Sequence, residues 1–452
     1  MPGSDPADDW ARRLATLAWE ELPPDARERT LIALFDSLAV AAGGSAAPGV
    51  PAMLRGVAEA SGSGEVAVPW TGLRLGPAGA AAALSTLIHA WDFDDTHDAA
   101  TVHTCAVAVP AALAAGAAAG ASGHDVLAAI VVGIQTLVRL SLVLGPQPGV
   151  VRTAGLGAFG AAAAAARALR LDADRFLAAL RLALPSSLAP TSRQVIEDGA
   201  LNKRFQPAQA VQAGVNAAFL AANGIDGPAG WMVGTYGMGR LAPDLDRALG
   251  CLEQPGWDVT NLSLKPYPCC RYAHSAIAGV LTVRRPDTDG AVIHVPKGPA
   301  YEFVSRPFAR RGQPIVDAQF SIPWLAAAAL LRGRVDLETL SGQVLDDTEI
   351  EKLAERVVVV QDLEPSKDVM APAHVKLRTS DGMFTTWVQH APGSPQAPLS
   401  WDDVADKASP CAVVGGYGDE AVPVLLDVVR GLEGIAPGGI GALGDRIGGR
   451  VS

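Results

Sequence analysis

Cysteine is scarce in this chain: five residues in 452, an odd number, at positions 105, 251, 269, 270 and 411, with no C-x-x-C pair. That pattern excludes a zinc ribbon and a disulfide framework and reads as reduced thiols in a cytoplasmic protein. Positive charge is also in deficit. A formal net charge of −11 without any basic run excludes a nucleic-acid surface, because duplex binding draws on clustered Lys and Arg. The first ten residues hold three Asp and two Pro but no Lys or Arg, so they lack the basic and apolar regions of a signal peptide. Long apolar runs do occur, at 104–122 and 125–144. The first is mostly Ala and Gly, which transfer weakly into hydrocarbon, and the second carries Asp125, Gln135 and Arg139, so both read as packed helices and no membrane span is expected.

What is present is a globular composition, 49% hydrophobic and 18% charged, in a chain long enough for two domains. From Asp9 to about Gly250 the text reads as all-α. Helix-start signals recur at Pro23-Pro24-Asp25, Gly76-Pro77 and Gly123-His124-Asp125, with apolar residues at three- and four-residue spacing between them. After Lys265-Pro266-Tyr267-Pro268 the character changes. Short β-like runs appear at 291–295, 356–360 and 375–377, and Ser380-Asp381-Gly382 turns into a further run at 383–388, with helical text between them at 323–332 and 347–355. From Ser400, a good N-cap, the text is helical again, and the glycine-rich tail from Pro437 is expected to be loosely held. The predicted fold is mostly α with an α+β insert. A large helical domain (1–264) would be completed by C-terminal helices (401–452) around a smaller α+β lid (265–400).

Three constellations could carry chemistry. The first is residues 89–103, a packet of carboxylates and imidazoles inside apolar text; burying so many ionisable groups is unfavourable unless they are paired or used. On a helix His89, Asp92 and Thr96 would share one face, while Asp94, Asp95 and Asp98 would point elsewhere. His103, just ahead of a new helical run, suits proton transfer near neutral pH. Asp94-Asp95-Thr96-His97-Asp98 also spells D-D-x-x-D, the magnesium-binding spacing of all-helical prenyl-diphosphate enzymes, but no second carboxylate cluster accompanies it and aromatics are only 5%. The second constellation is Asn202-Lys203-Arg204-Phe205-Gln206, where two cations precede a helix N-terminus and would be relieved by a bound anion. The third is Lys265 to His274, where two prolines fix an extended backbone that can aim Lys265, and where Cys269 and Cys270 read as small buried hydrophobes.

Together, in this order, these segments resemble the MmgE/PrpD family, which includes 2-methylcitrate dehydratase, cis-aconitate decarboxylase and iminodisuccinate epimerase. The likeness runs through His89–His97, Val102-His103-Thr104, Gly157–Arg167, Asn202-Lys203-Arg204, Lys265–Arg271 and Ala318–Pro323. It implies a homodimer with a cofactor-free, metal-free site between the two domains, binding a small carboxylate substrate. His103 would be the acid/base, Lys203 and Lys265 the carboxylate and enolate stabilisers, and Asp92 and Thr96 the orienting groups. Arg204, Gln206, Val151, Trp324, Tyr267, Arg271 and His274 would complete substrate binding.

The chain departs from the family pattern at three places. Val151 stands where a second His is usual, Gln206 where a His commonly follows, and Trp324 where a Tyr is expected. Valine cannot transfer a proton, and an indole N–H is no acid near neutral pH. Dehydration of 2-methylcitrate, which wants both a base and an acid, is therefore disfavoured against a reaction that moves one proton. The expected activity is a cofactor-independent lyase acting on a carboxylate-bearing carbon acid less charged than a tricarboxylate. An isomerase, epimerase or cyclase on the same scaffold is the alternative, and a non-catalytic metabolite-binding relative is a third reading.

Overall fold

A computed structural model describes residues 5–188, 192–310, 312–366 and 369–447. The chain is mostly helical, with one small mixed sheet in its C-terminal part. Its core is a bundle formed by Pro24–Gly44, Pro77–His89, Cys105–Ala119, Gly123–Leu144, Arg152–Ala168 and Gln206–Ala222.

The alanine and glycine content explains how closely these helices approach. A Cβ added at Gly133 would lie 2.8 Å from the Ala164 Cβ and 2.9 Å from both the Ala108 Cβ and the Gly160 carbonyl, so three helix backbones meet there only because side chains are minimal. At Gly214 the added atom would lie 2.3 Å from the Ala158 carbonyl. The helix Gly123–Leu144 is long and apolar enough to cross a membrane, but 94% of its most apolar window is packed inside the protein. Its polar residues hold the segment before Lys265: the Arg139 Nε donates to Asp258 Oδ2 at 2.7 Å, and the Gln135 Oε1 accepts from the Asp258 N–H at 2.9 Å.

The sheet orders its strands Val357–Leu363, Gly290–Pro296, Ala373–Thr379, Gly382–Val388. Gly290–Pro296 runs parallel to Val357–Leu363 and antiparallel to Ala373–Thr379, which forms a hairpin with Gly382–Val388. Helices His274–Val283 and Ile322–Arg332 belong to this α+β part. Ser400 caps Trp401–Gly415 in a reciprocal capping box with Asp403. That helix packs on Pro24–Gly44, where the Lys407 Nζ donates to Asp36 Oδ1 at 2.7 Å.

One expectation needs correction. The N-terminal half is not purely helical: Ser63–Ala67 pairs with Arg74–Leu75, and Thr96–His97 pairs with Leu262–Ser263. The end of the tail, expected to be loosely held, falls outside the described residues, and the part before it is packed. Ile440, Leu443 and Ile447 are buried, and the Trp70 N–H donates to the Ile447 carbonyl at 3.0 Å. Residues 1–4 and 448–452 lie outside the described residues.

Candidate active site

The helix Pro77–His89 ends at His89, and Asp92 adopts a left-handed backbone with φ of 53°. His89, Asp92 and Thr96 therefore do not share a helix face. They are brought together by a reversal of the chain followed by the Thr96–His97 strand. Because Thr96 pairs with Ser263 and His97 with Leu262, Lys265 falls opposite the Asp92–Asp94 turn. Its Nζ donates to the Asp92 carbonyl at 2.8 Å and to Asp92 Oδ1 at 3.1 Å. Thr101, also left-handed at φ of 53°, closes the loop that presents His103. A β-branched residue in that region is strained, and strain of this kind collects at functional sites.

Lys203 arrives from the short 3-10 turn Leu201–Phe205 ahead of Gln206–Ala222. The Lys203 Nζ donates to Asp92 Oδ1 at 2.7 Å and lies 3.2 Å from His89 Nε2. An ammonium has only donors, so His89 Nε2 must accept, and the proton of this imidazole sits on Nδ1, 2.9 Å from Asp94 Oδ2. Burial pushes His89 down to about 4, which keeps the ring neutral. The same logic fixes His103. Its Nδ1 faces two acceptors, the Asp95 carbonyl at 2.9 Å and Asp94 Oδ2 at 3.2 Å, so Nδ1 carries a proton. In the neutral ring the lone pair is on Nε2, 3.7 Å from Asp92 Oδ1. Thr153 Oγ1 accepts from the His103 backbone N–H at 3.0 Å and holds the residue in place.

Electrostatics follow from this wiring. Burial alone would raise the Asp92 carboxyl, but Lys203 and Lys265 outweigh it and hold it well below the usual carboxylate range. For Asp94, burial is likewise outweighed by His103 and His89. Burial alone would lower Lys265, but Asp92 and Asp94 overcome it and keep the group an ammonium.

Asp94 and Asp95 do not point away. Asp94 bridges both imidazoles, and Asp95 accepts from the Thr104 and Cys105 N–H groups at 3.0 and 2.8 Å, capping Cys105–Ala119. Asp98 pairs with Arg271 at 3.1 Å. The D-D-x-x-D carboxylates are thus all engaged by protein groups. His89, Asp92, Asp94 and His103 do bring one ligating atom each within 4.8 Å of one another. The positive charge this cluster needs is already supplied by two ammonium groups on Asp92 and by imidazole N–H groups on Asp94.

A cavity of about 660 Å³ opens beside this network. Asp92, Thr96, His103, Lys203, Gln206, Val151 and Arg271 border it, together with His89 and Cys270. Lys265 does not; fully buried, it reaches the cavity only through Asp92. Four residues expected at the substrate do not border it either. Arg204 donates to the Pro48 carbonyl and lies 5.7 Å from the Trp91 ring. Trp324 begins the helix Ile322–Arg332 and packs 5.7 Å from Phe308. Tyr267 and His274 pack on each other at 5.2 Å, with the His274 Nε2 donating to the Cys269 carbonyl. Burial pushes the Cys270 thiol up to about 11, so it is no thiolate.

The apolar part of the lining was not foreseen in the sequence: Tyr272, Phe303, Phe320, Ile196 and Met370 form it. These come from five separate segments and share no motif. Tyr272 stacks on Phe303 at 5.8 Å. At the polar end, Asp92 Oδ2, Thr96 Oγ1 and Arg271 Nη1 are buried without a protein partner, the mark of a surface shaped for a polar ligand.

Comparison with known proteins places this architecture. Residues 8–244 match the MmgE/PrpD N-terminal domain, and residues 267–422 match the MmgE/PrpD C-terminal domain. A cis-aconitate decarboxylase of Aspergillus terreus is 25% identical over 94% of this chain and 92% of its own length. A cis-aconitate decarboxylase-like protein of Aspergillus oryzae is 25% identical over 86% of each chain, and the cis-aconitate decarboxylase of Mus musculus is 26% identical over 74% of this chain and 71% of its own. With the two domain matches spanning most of its length, the chain belongs to the MmgE/PrpD family.

Proposed function

We propose that this protein is a cofactor-independent lyase acting on a small carboxylate-bearing carbon acid. The observation that carries the reading is the pairing of Lys203 with His103 at one end of the cavity. The Lys203 ammonium has one proton on Asp92 and one on His89, which leaves the third for a substrate oxygen. His103 turns its Nε2 to the same space while Asp94 and the Asp95 carbonyl hold Nδ1–H.

In a decarboxylation on this site, the bond from carbon to the departing carboxylate breaks and its electron pair spreads into the adjacent unsaturation. Lys203 stabilises the developing negative charge. His103 in its imidazolium form then delivers a proton to carbon from Nε2 and regains one from solvent, its positive charge supported by Asp94. Naming of the fungal and murine relatives as cis-aconitate decarboxylases supports this direction.

Val151 and the apolar wall favour a second reading, an isomerase, epimerase or cyclase, in which Nε2 removes a proton and returns it at another position. Incubating the purified protein with cis-aconitate and a panel of unsaturated and β-substituted carboxylic acids, with mass spectrometry of the products, separates the two. A lyase lowers the substrate mass by a small molecule, whereas an isomerase leaves it unchanged. Full turnover by a His103→Asn variant would overturn both.

A further inference from the structure

The cations that border the cavity, Lys203 and Arg271, are already paired with Asp92 and Asp98 before any ligand arrives. Lys203, Lys265 and Arg271 supply three positive charges; Asp92, Asp94 and Asp98 supply three negative ones, each in direct contact with one of those cations or with His89 and His103. Other cations near the wall are committed elsewhere. Arg193 pairs with Glu197 at 2.9 Å and covers the Phe303 ring at 4.4 Å, and Arg306 pairs with Glu197 at 3.4 Å. Arg204, which feels the Asp92 charge and donates to the Pro48 carbonyl, and Arg152 do not border the cavity.

A single carboxylate entering this site meets the third Lys203 proton and Arg271 Nη1. Two or three carboxylates would bring charges for which the lining holds no unpaired cation, and ions left uncompensated beside apolar side chains are disfavoured. The donors left over on the lining are few: the third Lys203 proton, Arg271 Nη1 and Thr96 Oγ1. The rest of the lining, including Val151, Ile196, Tyr272, Phe303, Phe320 and Met370, offers side chains that favour an apolar group, with the Phe320 ring 5.4 Å from the Lys203 Nζ.

We infer that the substrate is a monocarboxylic acid with an apolar body, its carboxylate between Lys203 and Arg271 and its aryl or branched alkyl group against Phe303, Phe320 and Met370. This rests on the proposal that the cavity is the substrate site, fits the reading in which His103 moves a proton and the carboxylate is retained, and departs from the three carboxylates of cis-aconitate.

Two unreactive probes test it by isothermal titration calorimetry on the full chain: 3-phenylpropionate, an aryl monocarboxylate, and tricarballylate, a saturated tricarboxylate. The aryl probe is expected to bind at least about tenfold tighter than the tricarboxylate. Phe303→Ala is expected to weaken it by about tenfold while leaving propionate, which lacks the ring, unchanged. Met370→Glu, which places a carboxylate at the apolar end without emptying the wall, is expected to reject the aryl probe to a similar degree. Tighter binding of tricarballylate, no saturable binding of either probe, or an aryl affinity indifferent to both variants would overturn the inference. These affinities are read without turnover, so a failure of the lyase reading shows separately, as full activity of His103→Asn.

Discussion

Two buried lysine–aspartate pairs in this protein share the same 2.7 Å contact and behave differently. Lys407 and Asp36 join the helix Trp401–Gly415 to Pro24–Gly44. Lys407 also donates to the Phe93 carbonyl at 2.8 Å and lies 4.1 Å from the Phe93 ring, so its head group is enclosed by protein. With one cation beside it, Asp36 cannot overcome burial, and its carboxyl is pushed up. Lys203 and Asp92 have the same geometry, but Lys265 adds a second ammonium and the carboxyl falls well below its usual range. The second cation turns a local tie between helices into a charged platform. Its remaining donor faces a cavity through Lys203.

Replacing each lysine gives the sharpest contrast. Lys203→Met should lower turnover by about 10³-fold, with folding retained because Lys265 still holds Asp92. Lys407→Met should instead lower stability, by about 3 kcal/mol in urea unfolding, and leave turnover per folded molecule unchanged. Equal losses of activity from both would erase the distinction between the pairs.

His103→Asn should reduce turnover by about 10²-fold with little change in melting temperature, since the side chain is partly exposed at the cavity. Asp94→Asn should have a smaller effect on rate, about tenfold, with a changed pH profile. It keeps the shape but removes the charge that supports both imidazoles. A Lys203→Met protein with a pH profile like that of Asp94→Asn would mean that the ammonium, and not Asp94, sets the protonation of the imidazole.

Stability against pH supplies a check that needs no substrate. His89 and His97 are both pushed down to about 4 from an ordinary value of 6.5, each chiefly by burial. Between these values the unfolded chain binds protons that the folded one excludes, so stability is complete above about 6.5 and declines as pH falls toward 4. The decline is of order 3 kcal/mol for each imidazole. Urea midpoints that stay flat across that window would contradict the neutral assignment of His89.

Much of this was legible in the sequence because it depends on local signals. Pro24, Pro77 and Ser400 mark helix starts through fixed φ and side-chain capping, and the alternating runs near 291, 357, 375 and 383 form strands where expected. The polar end of the site was also visible as a dense packet of ionisable groups in apolar text. Its wiring was not. The left-handed Asp92 breaks the helical periodicity on which any reading of faces relies, so the bridging role of Asp94, five residues after His89, had no spacing rule to reveal it. Trp324 was placed by its neighbours in the motif, yet as the third residue of its helix it turns to Phe308 and away from the cavity. Phe303, Phe320 and Met370 meet only through the packing of the α+β part, which no local pattern encodes.

The tautomer of His103 tests the central claim most directly, because the chemistry requires its Nε2 lone pair to face the cavity. Nitrogen-15 NMR of selectively histidine-labelled protein at mildly alkaline pH, with the His103→Asn variant to assign the signal, reads which ring nitrogen bears the proton. The structure requires a protonated Nδ1 and a bare Nε2. A neutral ring with a bare Nδ1 and its proton on Nε2 would undo the contacts to Asp94 and the Asp95 carbonyl and contradict the account.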